Sequence, residues 1–517
     1  MYREGSLDIF RLKQDFEYFR EETEKFYDKE IDSRTYKGIS GGFGSYSQRG
    51  GQKSMQRLRF PGGRITKEQM GFIAQAVEKY GIDLLHLTTC QTVQLHNLDC
   101  STVCRLSREA LDYGIITRGS GGDYPRNVMA PPLAGIEPGE YFDVLPYAIK
   151  ASDFLLGKLY GPRLPRKLKV GFSSSPKNLT HATFRDLGFA ARPDGLFDVY
   201  SGGGLGNAPK LGVLVAKGID PSDILYHIQA MYHLFVTCGN YDNRAKARSR
   251  FMQDTLGGPE GYKNAYLKVL DEIYYDGQDL KIRVEVPKFH KKGVVSASKS
   301  SRIIAQKQHG LYAVVFHPPG GCLEPGLFMK LYKSILPVKG AELRLSPDQG
   351  LYIIHCDGRE ADTLLEITKS GADTLFSSSV ACIGGSICQQ GIMDSQKMLQ
   401  KLICMEREEG FANGILPQIY ISGCPSSCGT HQTGILGLRG AIKKADGKAQ
   451  NAFWLFMGGC AIQGKEHIAK PAVLLTENEV LQFFSQLGHI VQESGLSFEQ
   501  WQKQYPQALA RLACRFT

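Results

Sequence analysis

Tryptophan is scarce, two residues in a chain of 517. No apolar run nears the roughly 18 residues that a membrane-spanning helix needs, so no membrane span is expected. The first residues, MYREGSLDIFRLKQDF, alternate in charge and lack the apolar stretch of a secretory signal, which sets the expectation of a soluble, cytoplasmic protein. No C-x2-C knuckle occurs. The 13 cysteines are odd in number and scattered, which argues against a disulfide framework; most are expected to be small core hydrophobes. Neither sign of charge dominates. With 62 basic against 52 acidic residues, net +10, the chain is too mildly basic for wholesale nucleic-acid binding and suits an acidic partner, cofactor or substrate. Apolar and charged contents of 42% and 22% are those of a soluble globular protein, and the length suggests two to four domains.

Four cysteines stand apart because they come in close pairs among glycine, serine and proline. Cys382 and Cys388 lie in ACIGGSICQQG, and Cys424 and Cys428 in ISGCPSSCGTHQ. Three assignments compete. Structural zinc favours a spacing of two, which neither pair has. Inert buried thiols have no need to sit as pairs in tight loops. An iron–sulfur cluster needs four thiolates converging from different segments with backbone N–H groups close by, and small flexible residues let the backbone approach that closely.

The chain also repeats itself. Residues 7–31 read as a charged amphipathic helix, and a glycine-rich loop follows at 41–51. The stretch 55–98 then reads as strand, Pro-Gly-Gly turn, helix and alternating strand. A similar stretch spans 312–355, and with Pro61-Gly62-Gly63 set on Pro319-Gly320-Gly321 the offset is 258 residues, without a gap over some 36. Leu87 then falls on Leu345, Gln91 on Gln349 and Leu95 on Ile353. A second pair, 168–206 and 417–461, shares a pattern of strand, Ser-Pro or Cys-Pro loop, histidine, helix, strand and Gly-Gly. The fold expected is α/β, mixed with α+β: two tandem halves, each a smaller α/β unit followed by a larger one. Between the halves, 288–308 is basic and contains no acidic residue, which reads as an exposed linker more readily than as a docking patch.

C-x5-C followed by S-G-C-P-x-S-C-G-x-H-Q resembles the cluster motif of the sirohaem-dependent sulfite and nitrite reductases. The resemblance covers most of the chain and includes its duplication. It implies a [4Fe–4S] cluster on Cys382, Cys388 and Cys424, with Cys428 also bridging to the sirohaem iron. It further implies two ferredoxin-like half-domains (52–125 and 309–372) and two larger α/β domains that bind sirohaem (126–287) and sirohaem with the cluster (373–517). An N-terminal helix and Gly-rich loop (1–51) and the linker complete the chain.

Sirohaem carries many carboxylates and its substrate is an anion, so the family's pocket is basic. Arg57 in MQRLRFPGG, Arg126 in DYPRN, and Lys167 and Lys169 in LPRKLKV match the family's substrate-binding set. Alternation puts the two lysines on one strand face. Arg59, Thr88, Thr89, Gln91, Gly203, Gly204 and Asn207 match positions around the macrocycle. Cys90 departs from the pattern, standing where the family commonly has an arginine. The resemblance implies a six-electron reductase fed by ferredoxin or another one-electron donor protein, since no flavin or nicotinamide domain is evident. Lysine at position 169, common in sulfite reductases where plant-type nitrite reductases tend to have asparagine, makes sulfite the expected substrate. Nitrite is the alternative, favoured by the Pro-Leu-Ala-Gly-Ile run at 132–136. A non-catalytic carrier using the cluster alone would have no need of converging arginines and lysines.

Overall fold

A computed structural model describes residues 8–285, 289–293, 295–445 and 447–517. The expected start of the first helix at residue 7, and the boundary expected between the larger domain and the linker at 287 and 288, lie outside the described residues. The chain forms two compact units, one of residues 1–204, 209–316 and 323–369, the other of 205–208, 317–322 and 370–517.

The first unit opens with the helix Ile9–Tyr27, started by Asp8, whose carboxylate accepts from Arg11 N at 3.0 Å; such a cap contributes about 1 kcal/mol. Leu12, Phe16, Phe19, Thr23 and Phe26 recur at helical spacing and form its buried stripe. The helix stops short of the expected residue 31, because Lys29 turns to a left-handed φ of 65° before a second helix, Ser33–Ser40.

The 258-residue offset holds well beyond the stretch in which the sequence shows it. Strand Ser45–Ser47 corresponds to Ile303–Ala305, helix Lys67–Tyr80 to Pro325–Ile335, strand Leu85–Leu87 to the end of Glu342–Leu345, Thr92–Leu98 to Leu351–Cys356, and helix Cys100–Glu109 to Gly358–Ile367. Both copies turn on paired left-handed glycines, Gly62 and Gly63 at φ 62° and 72°, Gly320 and Gly321 at 59° and 73°, a conformation glycine adopts without penalty. Each copy builds an antiparallel five-stranded sheet with one strand taken from the other: Arg64–Ile65 pairs with Arg344 and Leu343, and the strand that includes Leu323 closes the first sheet. Leu58, Ile73 and Leu95 share a core with their counterparts Phe316, Leu331 and Ile353. Because Ile303–Ala305 is the edge strand of the second sheet, the stretch 288–308 is not linker throughout. Lys291 is also committed, with its Nζ 2.6 Å from Glu360.

The larger copies agree strand for strand. In the first unit Val170–Ser173, Leu187–Ala191, Phe197–Ser201 and Val213–Ile219 pair parallel, antiparallel and antiparallel. In the second unit Tyr420–Ser422, Leu436–Ala445, Lys448–Met457 and Lys470–Thr476 do the same, with Val380–Ala381 added at the front. The helix expected after each loop is a single 3-10 turn, Ala182–Phe184, in the first copy and is missing from the second; the next element is a strand. The turn must be tight because a Cβ on Gly188 or Gly437 would lie 2.0 Å from the carbonyl oxygen of Ala182 or His431. Not all of the other cysteines are core residues: Cys238, Cys404 and Cys514 are exposed. Among the described residues no helix is long and apolar enough to cross a membrane.

Candidate functional site

Two sites emerge, one in each unit. The thiol site of the second unit lies where the parallel strands Val380–Ala381 and Tyr420–Ser422 end. Cys382 follows the first strand, and its amide donates to Ile421 O at 3.1 Å. Its sulfur accepts from Gly423 N at 3.2 Å and contacts Ser395 Oγ at 3.1 Å. The Cys388 amide donates to Gly384 O at 2.9 Å, so the segment between the two cysteines folds on itself. Glycines allow this packing: a Cβ on Gly391 would lie 2.5 Å from Gly385 Cα, and one on Gly423 2.5 Å from Met393 O. Cys424 is buried and Cys428 exposed, and none of the four is in a disulfide. Burial, and then the charge of a Cys428 thiolate, push the Cys382 thiol up to about 12; burial also raises Cys388, with Cys428 and Cys424 adding to it.

The donor set fits a cluster. All four sulfurs lie within electrostatic reach, yet no three His, Cys, Asp or Glu groups among the described residues close on a single ion. Thiols that resist ionising alone become thiolates when metal displaces their protons.

The basic site belongs to the first unit. Arg57 Nη1 and Arg126 Nη1 both donate to Ser120 O at 2.9 Å, and Arg126 Nη2 donates to Gly122 O at 2.8 Å. The two guanidinium groups therefore converge on one loop. Burial alone would raise the Tyr46 phenol, but Arg126 and Arg57 together hold it below its ordinary value. Burial, and then mutual repulsion, lower Arg59 to about 9. Arg59 donates to Arg118 O and Pro125 O at 3.1 and 3.3 Å, which ties it to the same loop.

Lys167 and Lys169 flank the fully buried Leu168 just before the strand that begins at Val170. Both act electrostatically on the Cys90 sulfur. Lys169 N donates to Asp186 Oδ2 at 2.9 Å, and its side chain hydrogen-bonds Cys90. Thr88 closes the Cys90 turn, its Oγ1 accepting from Cys90 N and Thr92 N at 3.3 and 3.2 Å; Thr89 is buried beside it. Gln91 spends its amide on backbone, donating to Ala130 O and Leu345 O at 2.7 and 2.5 Å and accepting from Ala130 N at 3.1 Å. Its counterpart Gln349 donates to Leu87 O at 2.9 Å, so the pair latches the two copies reciprocally.

Sequence reasoning missed three arginines. A Cβ on Gly204 would lie 3.2 Å from Arg248 Nη2 and 3.4 Å from Arg250 Cδ, and Gly203 N donates to Arg185 O at 2.9 Å. Buried guanidinium nitrogens of Arg185 and Arg248 have no partner among the described residues, an expensive state that a bound anion relieves. The alternating A-R-S-R run at 247–250 was the available signal. Asn207 is exposed in the loop 205–208 of the second unit, where Gly206 and Gln432 exchange hydrogen bonds of 3.0 and 2.8 Å.

Fold and sites together describe a duplicated α/β protein with four thiols gathered in one unit and a cluster of basic side chains in the other. A model of the nitrite and sulphite reductase 4Fe-4S domain matches residues 121–269, and one of the nitrite/sulfite reductase ferredoxin-like half domain matches 46–113. These two stretches are therefore similar to the domains of nitrite and sulphite reductases. It is similar to the ferredoxin–nitrite reductase of Leptolyngbya laminosa, 28% identical with 79% of this chain and 80% of that protein covered. It is also similar to the chloroplastic ferredoxin–nitrite reductase of Zea mays, 27% identical over 80% and 74% of the two chains. In fold it resembles the NirA protein of Mycobacterium tuberculosis, with a TM-score of 0.76, 23% identity, and 90% and 89% of the two chains covered. The 4Fe-4S match falls on the copy without the paired cysteines, so it speaks for the repeated fold; the ligand assignment rests on the second copy.

Proposed function

We propose that the chain reduces nitrite to ammonia, taking six electrons one at a time from ferredoxin or another one-electron donor protein. The observation that carries this reading is the four-thiol site in its glycine-packed loops, which fits a [4Fe–4S] cluster. Cys382, Cys388 and Cys424 would hold the cluster, with Cys428 as the thiolate shared with sirohaem. Bound, the two cofactors supply electron storage and an iron to which the substrate nitrogen binds. Arg185, Arg248 and Arg250 would meet cofactor carboxylates, beside the backbone of Gly203 and Gly204 and with Thr88 and Thr89. Arg59 and Gln91 serve the pocket by fixing its loops.

Arg57 and Arg126 offset the charge of the anion and stabilise charge developing on its departing oxygens. Lys167 and Lys169 complete the positive field, and with ordered water they deliver protons. The expectation of sulfite rests on lysine at position 169. The hydrogen bond from Lys169 to Cys90 weakens that argument, and the similar proteins above carry names that speak of nitrite. Net +10 suits an acidic ferredoxin.

The test is an anaerobic visible spectrum with iron and labile-sulfide analysis, joined to turnover assays of both anions. Sirohaem bands with about five irons per chain and ammonia from nitrite support the reading. Sulfide from sulfite with no ammonia from nitrite returns the assignment to sulfite. Turnover with ferredoxin should fall steeply with added salt while a small artificial donor is little affected.

A further inference from the structure

Cys90 sits among cations. Its sulfur is hydrogen-bonded by Lys169 and lies in the field of Arg185, Lys167 and Arg126. The turn that carries it is held firmly: Thr88 Oγ1 accepts from its amide at 3.3 Å, and Asn127 Nδ2 donates to Cys90 O and Gln91 O, both at 3.0 Å. The neighbouring carboxylate, Asp186, is spent on Arg248 Nη2, Ser249 Oγ and the backbone amide of Lys169. Arg185 is only 4% exposed, and its Nη2 has no partner among the described residues although its Nε donates to Thr180 O at 2.9 Å.

We propose that Cys90 is a specificity-determining residue: its sulfur, as a thiolate, pairs with the Lys169 ammonium and lowers the pocket's charge by one. The cluster thereby suits a monoanion such as nitrite better than a dianion such as sulfite. The proposal rests on the reading of the chain as a nitrite or sulfite reductase. Cys90 acts through Lys169, as a positioning residue, and it replaces one cation's worth of attraction by an anion at the centre of four.

The sulfur's ionisation agrees. Burial alone would raise the thiol, but Lys169, Arg185 and Lys167 bring it down to about 6, so it is ionised at neutral pH. His181, which also faces Lys169 and Arg185, is held neutral by burial and by those cations. A hydroxyl at position 90 would keep the size and the hydrogen bond but lose the charge.

Two measurements on the holoenzyme test this, in the wild type, Cys90→Ser and Lys169→Met. In the first, iodoacetamide labelling of the half-buried Cys90 is followed by peptide mass spectrometry across about pH 5 to 9. The wild type should label with a half-rise near pH 6, and Lys169→Met should move that rise upward by about one pH unit or more. In the second, the nitrite-to-sulfite ratio of kcat/KM should fall about tenfold in Cys90→Ser. A flat or unmoved labelling profile overturns the pair, and an unmoved substrate ratio overturns its role in specificity. Wild type that reduces neither anion overturns the functional reading and the specificity with it, while the labelling profile still decides separately whether Cys90 and Lys169 are paired.

Discussion

In the first large sheet, strand Val170–Ser173 leads into a loop where Asn178 and His181 have φ of 47° and 54°. In the second, Tyr420–Ser422 leads into Ser427 and Thr430 at 55° and 53°, the same steps along the chain. The loops match in backbone and differ in chemistry. Ser175 and Leu179 stand where the second copy has Cys424 and Cys428. Counting from the bridge Met129–Gly171 and its counterpart Val380–Tyr420, Pro131 stands at the place of Cys382. Fold alone therefore makes no demand for thiols at these positions. One copy spends the loop on packing, with Thr180 Oγ1 bonded to Phe172 O at 2.7 Å. In the other, glycine takes that place as Gly429, and the sulfurs gather. Duplication supplied two equivalent loops, and the basic residues collected around one copy while the thiols collected in the other.

The largest expected effect comes from breaking the second loop. Cys428→Ser should abolish reduction of nitrite with ferredoxin and with an artificial donor alike, and should alter the visible spectrum. Cys404→Ser and Cys514→Ser, at exposed thiols, should leave both as they are. An active Cys428→Ser protein with an unchanged spectrum removes the cluster assignment. Breaking the basic copy should look different. Lys167→Met should lower kcat/KM for nitrite about 100-fold while iron and labile sulfide per chain stay at the wild-type level. Loss of the metal in this variant would mean that the two copies do not divide the work as the comparison suggests.

What the sequence made legible was whatever repeats in register. The Pro-Gly-Gly turns fixed the 258-residue offset because left-handed backbone at those places demands glycine, and the offset then carried whole elements, through helix Gly358–Ile367. The cysteine pairs were legible for a similar reason: their spacing lies within short loops. Contacts between distant segments were not. Gln91 and Gln349 aligned on the page, but nothing local showed that their amides latch one copy to the other. Arg185 was missed because burial of a charged side chain comes from packing and leaves no mark in the residue or its neighbours. The departure at Cys90 was visible, but its pairing with Lys169 was not. The expected helices after the two loops failed because apolar residues there alternate with glycine, a pattern that backbone crowding at Gly188 and Gly437 turns into strand.

Those two glycines offer a further way to sharpen the comparison. In both copies a Cβ would meet a carbonyl oxygen at 2.0 Å. Gly188→Ala and Gly437→Ala should each destabilise the protein by about 1–3 kcal/mol, as overpacking does, read as a lower urea midpoint. A large loss at one position and none at the other would show that the copies have diverged in backbone as well as in side chains.

A last effect is expected on the acid side of the stability curve, and it separates the loops by a single residue. His181 of the first loop corresponds to Thr430 of the second, which does not titrate. Burial first, then Arg185 and Lys169, lower the His181 imidazole to about 3. Between its ordinary value of 6.5 and about 3, the unfolded chain binds a proton that the folded chain refuses. The stabilisation due to the neutral ring is thus complete above about pH 6.5 and is lost as the pH falls through that window, at up to about 1.4 kcal/mol per pH unit. Asparagine accepts the left-handed backbone of this position and carries no titrating group. His181→Asn should therefore flatten the decline of unfolding free energy between about pH 6 and 4 while leaving stability above pH 7 little changed, measured by urea unfolding at each pH. Thr430→Asn in the second loop should leave the slope as it was. Equal slopes for wild type and His181→Asn would mean that the ring is already protonated in the folded chain, and the basic pocket around it would then be less desolvated than the geometry implies.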